Sequence, residues 1–98
     1  MRGEARRTVL VPASVPALAG HVKMRHDNVR NCWLILAPER VFTPDAVAVA
    51  VLQLCDGKRN VEAIAVALEQ TYNASKELIL QDILPMLQDL ADRGVVTA

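Results

Sequence analysis

The apolar pattern of this chain changes period at Thr43-Pro44-Asp45, and that change confines what it can fold into. Before it, His21 to His26 alternates, with Val22 and Met24 on one side and Lys23 and Arg25 on the other, as in a half-buried strand. Asp27 to Asn31 reads as a turn in which Asn28 and Asn31 can take the left-handed conformation. Cys32 to Ala37 is apolar on both faces, which fits the middle strand of a small sheet. Pro38 at the second position of Ala37-Pro38-Glu39-Arg40 suits a type I turn. Arg40 to Phe42 then forms a very short third strand whose free side is a sheet edge.

After the change the period is helical. Thr43 supplies a hydroxyl cap, Pro44 the first helical position and Asp45 a carboxylate near the positive end of the dipole, for a helix running to about Cys55. Only Gln53 is polar between Ala46 and Leu54, so this helix is expected to be enclosed by its neighbours. Asp56-Gly57 ends it. Asn60 caps a second helix with the stripe Val61, Ile64, Ala65, Leu68 and Tyr72, which Asn73-Ala74 closes. Ser75 caps a third, Lys76 to Arg93, which stops at Gly94 before a short Val95-Val96 tail. Three antiparallel strands followed by three helices in 98 residues make one α+β domain of winged-helix-like build, residues 21–98. Residues 1–20 are expected to form a flexible N-terminal arm. Their Arg6-Arg7 and apolar stretch imitate an export signal poorly, because Pro12 and Pro16 interrupt it, and no segment approaches the roughly 20 apolar residues of a membrane span. The expected location is the cytoplasm.

The third helix carries a second message. Ile79, Ile83, Met86 and Leu90 make one stripe, with Leu80, Leu84, Leu87 and Ala91 beside it, so the apolar arc spans roughly 160°. The extra width is either covered by the sheet or open as a groove for a ligand. Pro85 falls on the polar side. Catalytic chemistry has no visible carriers: His21 and His26 fall on opposite strand faces, and Cys32 and Cys55 lack zinc-site spacing. The four glycines are scattered singly, so no phosphate cradle exists. No enzyme activity, cofactor or metal is expected.

Eleven basic and eleven acidic residues cancel, yet residues 1–40 hold seven basic against three acidic and residues 41–98 four against eight. A winged-helix DNA-binding or regulatory module is the alternative reading, but the third helix sets Lys76 and Arg93 against Glu77, Asp82, Asp89 and Asp92 and would repel phosphate. Neither nucleic acid nor membrane is an expected partner. A peptide fits better, since a short sheet edge offers backbone groups and the helix flank offers pockets.

The run Arg25 to Val41 (RHDNVRNCWLILAPERV), the later Leu52-x-Leu-Cys-Asp-Gly-Lys-Arg59, the Ile64-Ala-x-x-Leu-x-x-x-Tyr72 stretch and the Asp82 to Gly94 ending together resemble the PqqD family of pyrroloquinoline quinone biosynthesis. Asn31 stands where glycine is common in that family, and Phe42-Thr43-Pro44-Asp45 replaces the usual helix start. The resemblance implies a RiPP recognition element without a reaction of its own. Such a protein binds the ribosomal precursor peptide PqqA and presents it to the radical S-adenosylmethionine enzyme PqqE. The resemblance also implies a peptide lying along the third strand and against the third helix. The residues expected to hold it are Arg40, Val41, Phe42 and Thr43 on the strand, with Leu80, Leu84 and Leu87 on the helix. A monomer or weak homodimer is expected.

Overall fold

A computed structural model describes residues 9–98. Its elements run β1 (Ala17–Leu18), β2 (Lys23–Asp27), β3 (Cys32–Ala37), β4 (Arg40–Phe42), α1 (Ala46–Gln53), α2 (Val61–Tyr72), α3 (Lys76–Asp92) and β5 (Val96–Thr97). The expected α+β arrangement is present, with β2, β3 and β4 as an antiparallel sheet in that order and three helices after it. A second, two-stranded sheet pairs β1 with β5.

Local chemistry explains most boundaries. In the β2–β3 loop the Asp27 carboxylate accepts from the Val29 and Arg30 N–H groups, and Asn31 takes the expected left-handed φ of 55°. The β3–β4 turn differs from expectation. Glu39 has φ 61°, which excludes type I and fits type II, where the third position needs a positive φ. The cap of α1 is Asp45 instead of Thr43: its carboxylate accepts from Ala48 N–H at 2.8 Å, a charge-assisted bond that a hydroxyl two residues earlier cannot match. Asn60 and Ser75 cap α2 and α3 as their spacing foretold. At the end of α3, Gly94 at φ 80° donates to Ala91 O and Val95 donates to Leu90 O. That 5→2 and 6→1 pair turns the chain back toward β5.

The core joins Ile35 of β3 to Val51 and Leu52 of α1, Val61, Ile64 and Leu68 of α2, and Ile79, Ile83 and Leu87 of α3. Enclosure of α1 is incomplete, because Ala46 and Val47 are exposed while Val49, Val51 and Leu52 are buried. Lys76 Nζ reaches Glu62 Oε2 at 2.9 Å and links α3 to α2. No helix among the described residues is long and apolar enough to cross a membrane.

The largest departure concerns the expected arm. Residues 1–8 lie outside the described residues, but residues 9–20 are built into the domain. Leu10, Pro16 and Ala19 are buried. The Gly57, Val61 and Glu62 N–H groups donate to the carbonyls of Pro16, Ser14 and Pro12, and Ala19 N–H donates to Val95 O. The prolines that spoil a regular element here still offer carbonyls: those of Pro12 and Ser14 satisfy the α2-start donors Glu62 and Val61, and that of Pro16 holds Gly57 in the α1–α2 connection.

Two outcomes follow from the turns. Glu39→Gly relieves a left-handed non-glycine residue and should raise stability by about 1 kcal/mol, roughly 4–8 °C in Tm by thermal melting. The Asp56 carboxylate accepts from Lys58 and Arg59 N–H at 2.9 and 3.2 Å and pairs with Arg59, and the Lys58 bond leads in holding its pKa below the usual 3.8. A lowered carboxylate pKa stabilises fully above 3.8, and that contribution drains away as pH falls through the lower folded value. Asp56→Asn should therefore lose less stability between pH 6 and pH 3 than the parent does, read from urea midpoints.

Candidate functional site

The site builds outward from the β3–β4 register. Two residues, Pro38 and Glu39, separate the facing pair Ala37 and Arg40, so that pair is hydrogen-bonded and Ile35–Phe42 is the next bonded pair. Between them Leu36–Val41 is a non-bonded pair, and the Val41 N–H and C=O both point away from β3. No strand of the described residues lies on that side. Val41 is 63% exposed, which leaves the residue open to a partner. Arg40 and Thr43 are also exposed, whereas Phe42 turns inward and packs against the core. The main packing of β4 is against β3, and Phe42 ties the short strand to the core.

On the helix side the structure redistributes the expected residues. Leu87 has no accessible surface and is core, because the middle of the α3 arc sits over α2. Leu80 and Leu84 are half-buried against the core. Their strip continues one turn later in Gln88, whose Oε1 accepts from Leu10 N–H at 2.8 Å, so the N-terminal segment runs beside it. The open concavity of α3 lies on the other flank. A hollow of about 150 Å³ is lined there by Val47, Leu68, Tyr72, Ile79, Asp82 and Ile83. Val47 and Tyr72 are 43% and 41% exposed on its rim, and Asp82 is its one charged group. A second hollow, of about 340 Å³, separates the sheet from α1 and is lined by Asn31, Cys32, Trp33, Pro44, Ala46 and Val49.

Sequence reasoning overlooked this hollow, although Tyr72 already stood in the α2 stripe. It also overlooked a second free edge. β2 is the other outer strand and is longer than β4, but Lys23, Arg25 and Asp27 charge it, a common guard against strand pairing.

Among the described residues no group of three His, Cys, Asp or Glu side chains could hold a metal. His26 stacks edge-on against Trp33 at 5.3 Å, with its Nδ1 bonded to Asn28, which places the ring in the architecture of the hairpin. Burial, with a smaller push from Asp56, raises the Cys55 thiol to about 12 and keeps it protonated and inert at neutral pH.

Comparison with known proteins gives a consistent set of likenesses. Residues 32–96 match the family model described as Coenzyme PQQ synthesis protein D (PqqD). A protein of Bradyrhizobium diazoefficiens named PqqA binding protein is 52% identical over 85 residues, covering 87% of this chain and 82% of that one. One of the same name from Rhodopseudomonas palustris is 50% identical over 93 residues, covering 95% and 91%. Among solved structures, the solution NMR structure of the PqqD truncation of Methylobacterium extorquens PqqCD, a functional and stand-alone RiPP recognition element, superposes with a TM-score of 0.81. It is 47% identical and the match covers 94% of this chain and 98% of that one. The crystal structure of PqqD from Xanthomonas campestris gives a TM-score of 0.53 at 33% identity, covering 86% and 93%.

Proposed function

Because this chain belongs to the PqqD family, we propose that it is a recognition module without turnover of its own, which binds the precursor peptide PqqA and presents it to the radical enzyme PqqE. The peptide adds as a strand to the open edge of β4. The observation that carries this reading is the orientation of Val41, whose main-chain donor and acceptor face outward with no strand of the described residues to meet them. Main-chain bonds supply affinity and alternate side chains supply selection. Peptide side chains on one side lie beside the exposed Val41; those on the other point toward the helices.

Arg40, Val41, Phe42 and Thr43 are the strand-side contacts. Arg40 offers a guanidinium to an acidic peptide side chain. On the helix side, Val47, Tyr72 and Asp82 form the accessible rim, Leu80 and Leu84 contribute only what their half-burial leaves exposed, and Leu87 supports the surface from beneath. The relatives named for PqqA binding and the recognition element of M. extorquens support a binding role. So does the negative outer face of α3, which suits a peptide better than a phosphate backbone.

Val41→Pro removes the outward donor without touching a ladder bond, so peptide affinity should fall at least tenfold by calorimetry while the helical circular dichroism signal persists. An unchanged affinity in the folded variant rules out strand addition at β4. Leu84→Glu separates core from groove. With Leu84 half-buried beside the N-terminal segment, the substitution should cost about 2 kcal/mol of stability in urea denaturation; full stability with weakened peptide binding would return Leu84 to the groove.

A further inference from the structure

The outer face of the three-stranded sheet is unlike a solvated surface. Alternation places Leu34 and Leu36 of β3 on the side opposite the buried Ile35, and the register sets Lys23, Leu36 and Val41 in one row across the three strands, with Arg25 and Leu34 in the next. The solvent side of an antiparallel sheet ordinarily carries polar residues on its middle strand. Here the centre is aliphatic and half-buried, and neither Leu34 nor Leu36 is among the residues packed against the core. A shallow hollow of about 440 Å³ opens on this face, lined by Arg25, His26, Asp27, Val29, Leu34 and Leu36. Val29 is 95% exposed at the hairpin tip, and the Arg30 side chain beside it is 78% exposed. Lys23 and Arg25 have no ion-pair partner among the described residues, while Asp27 is occupied by the loop N–H groups and stands 4.0 Å from Arg30. An apolar centre inside a basic rim is the anatomy of a protein interface.

We propose that this face docks the enzyme that acts on the held peptide, through an acidic patch with an apolar centre; the inference rests on the peptide-recognition reading above. The row through Val41 gives the physical reason for joining the two. A peptide strand paired with β4 extends the same sheet, and every second side chain of that strand lies in line with Val41, Leu36 and Lys23. The docked enzyme then touches protein and peptide on one continuous surface and binds the loaded module more tightly than the empty one. Linkage makes that coupling reciprocal, so the enzyme strengthens peptide binding by the same factor.

Charge selects this occupant over others. Two copies meeting face to face across a twofold axis would set Lys23 and Arg25 near their own images. Contact between the basic sheet of one copy and the acidic helices of another would be heterologous, giving a ring or an open filament instead of a closed pair. Three exposed cations hold a membrane only weakly, at about 1 kcal/mol each.

The test uses the full 98-residue chain, the precursor peptide and the purified enzyme PqqE, with Arg25→Glu and Leu34→Ser as separate variants. Each variant should keep peptide affinity within twofold and lose at least tenfold in affinity for the enzyme, and peptide should raise the parent's affinity for the enzyme. Enzyme affinity unchanged in both variants overturns the docking surface. So does joint loss of peptide and enzyme binding, which would place both on one site. Self-association in sedimentation velocity, or binding to phosphatidylserine vesicles, that the variants abolish while leaving enzyme binding intact would assign the face to another occupant. If peptide fails to bind the parent while Arg25→Glu still weakens the enzyme, the recognition reading falls and the docking surface stands.

Discussion

Main-chain hydrogen bonds from residues 12–19 hold the two ends of this domain to its middle. Pro12, Ser14 and Pro16 give their carbonyls to Glu62, Val61 and Gly57, and Ala17–Leu18 pairs with Val96–Thr97. The first turn of α2 thus finds acceptors for donors that an isolated helix leaves unmet, and the hinge between α1 and α2 is fixed at Gly57. With α2 so placed, Val61, Ile64 and Leu68 bury against α3, and the remaining surfaces are those that face away from this strap. The open edge of β4 and the hollow around Asp82 are two of them.

In the proposed reading, the sheet can serve recognition because it is small and only partly covered. A middle strand apolar on both faces needs cover on both, and the helices supply it on the side of Ile35 alone. The edge at β4 and the face over Leu34 and Leu36 therefore answer one deficiency in two directions, along the sheet and perpendicular to it. In the functional reading proposed here, peptide extends the sheet and a second protein covers it. Such a division asks for no deep cavity, which a chain of this length could hardly enclose.

Local chemistry was legible wherever one residue type does one job. Asn60 and Ser75 cap helices, Asn31 and Asn73 take left-handed φ, and Gly94 stops α3, each from its own side chain or lack of one. The cap of α1 was misplaced because Thr43, Pro44 and Asp45 all favour helix starts, and only the geometry chose the carboxylate. The turn at Pro38 was misassigned because glutamate is not a residue that announces a positive φ; pairing of β3 with β4 imposes it.

What the sequence determined by itself is the order of the three-stranded sheet and the three helices, though not β1, the middle position of Cys32–Ala37, the exposed edge at Arg40–Phe42, and the resemblance that names the family. These depend on periodicity and on neighbours a few residues apart. Tertiary structure alone decided that residues 9–20 are built into the domain, since their partners lie some 40 to 80 residues away, at Gly57, Val61 and Val96. It also decided which flank of α3 is open. An apolar arc on a helix records how much surface must be buried, not which neighbour buries it; here Leu10 runs beside the Leu80–Leu84 side, and the hollow rimmed by Asp82 stays open on the other.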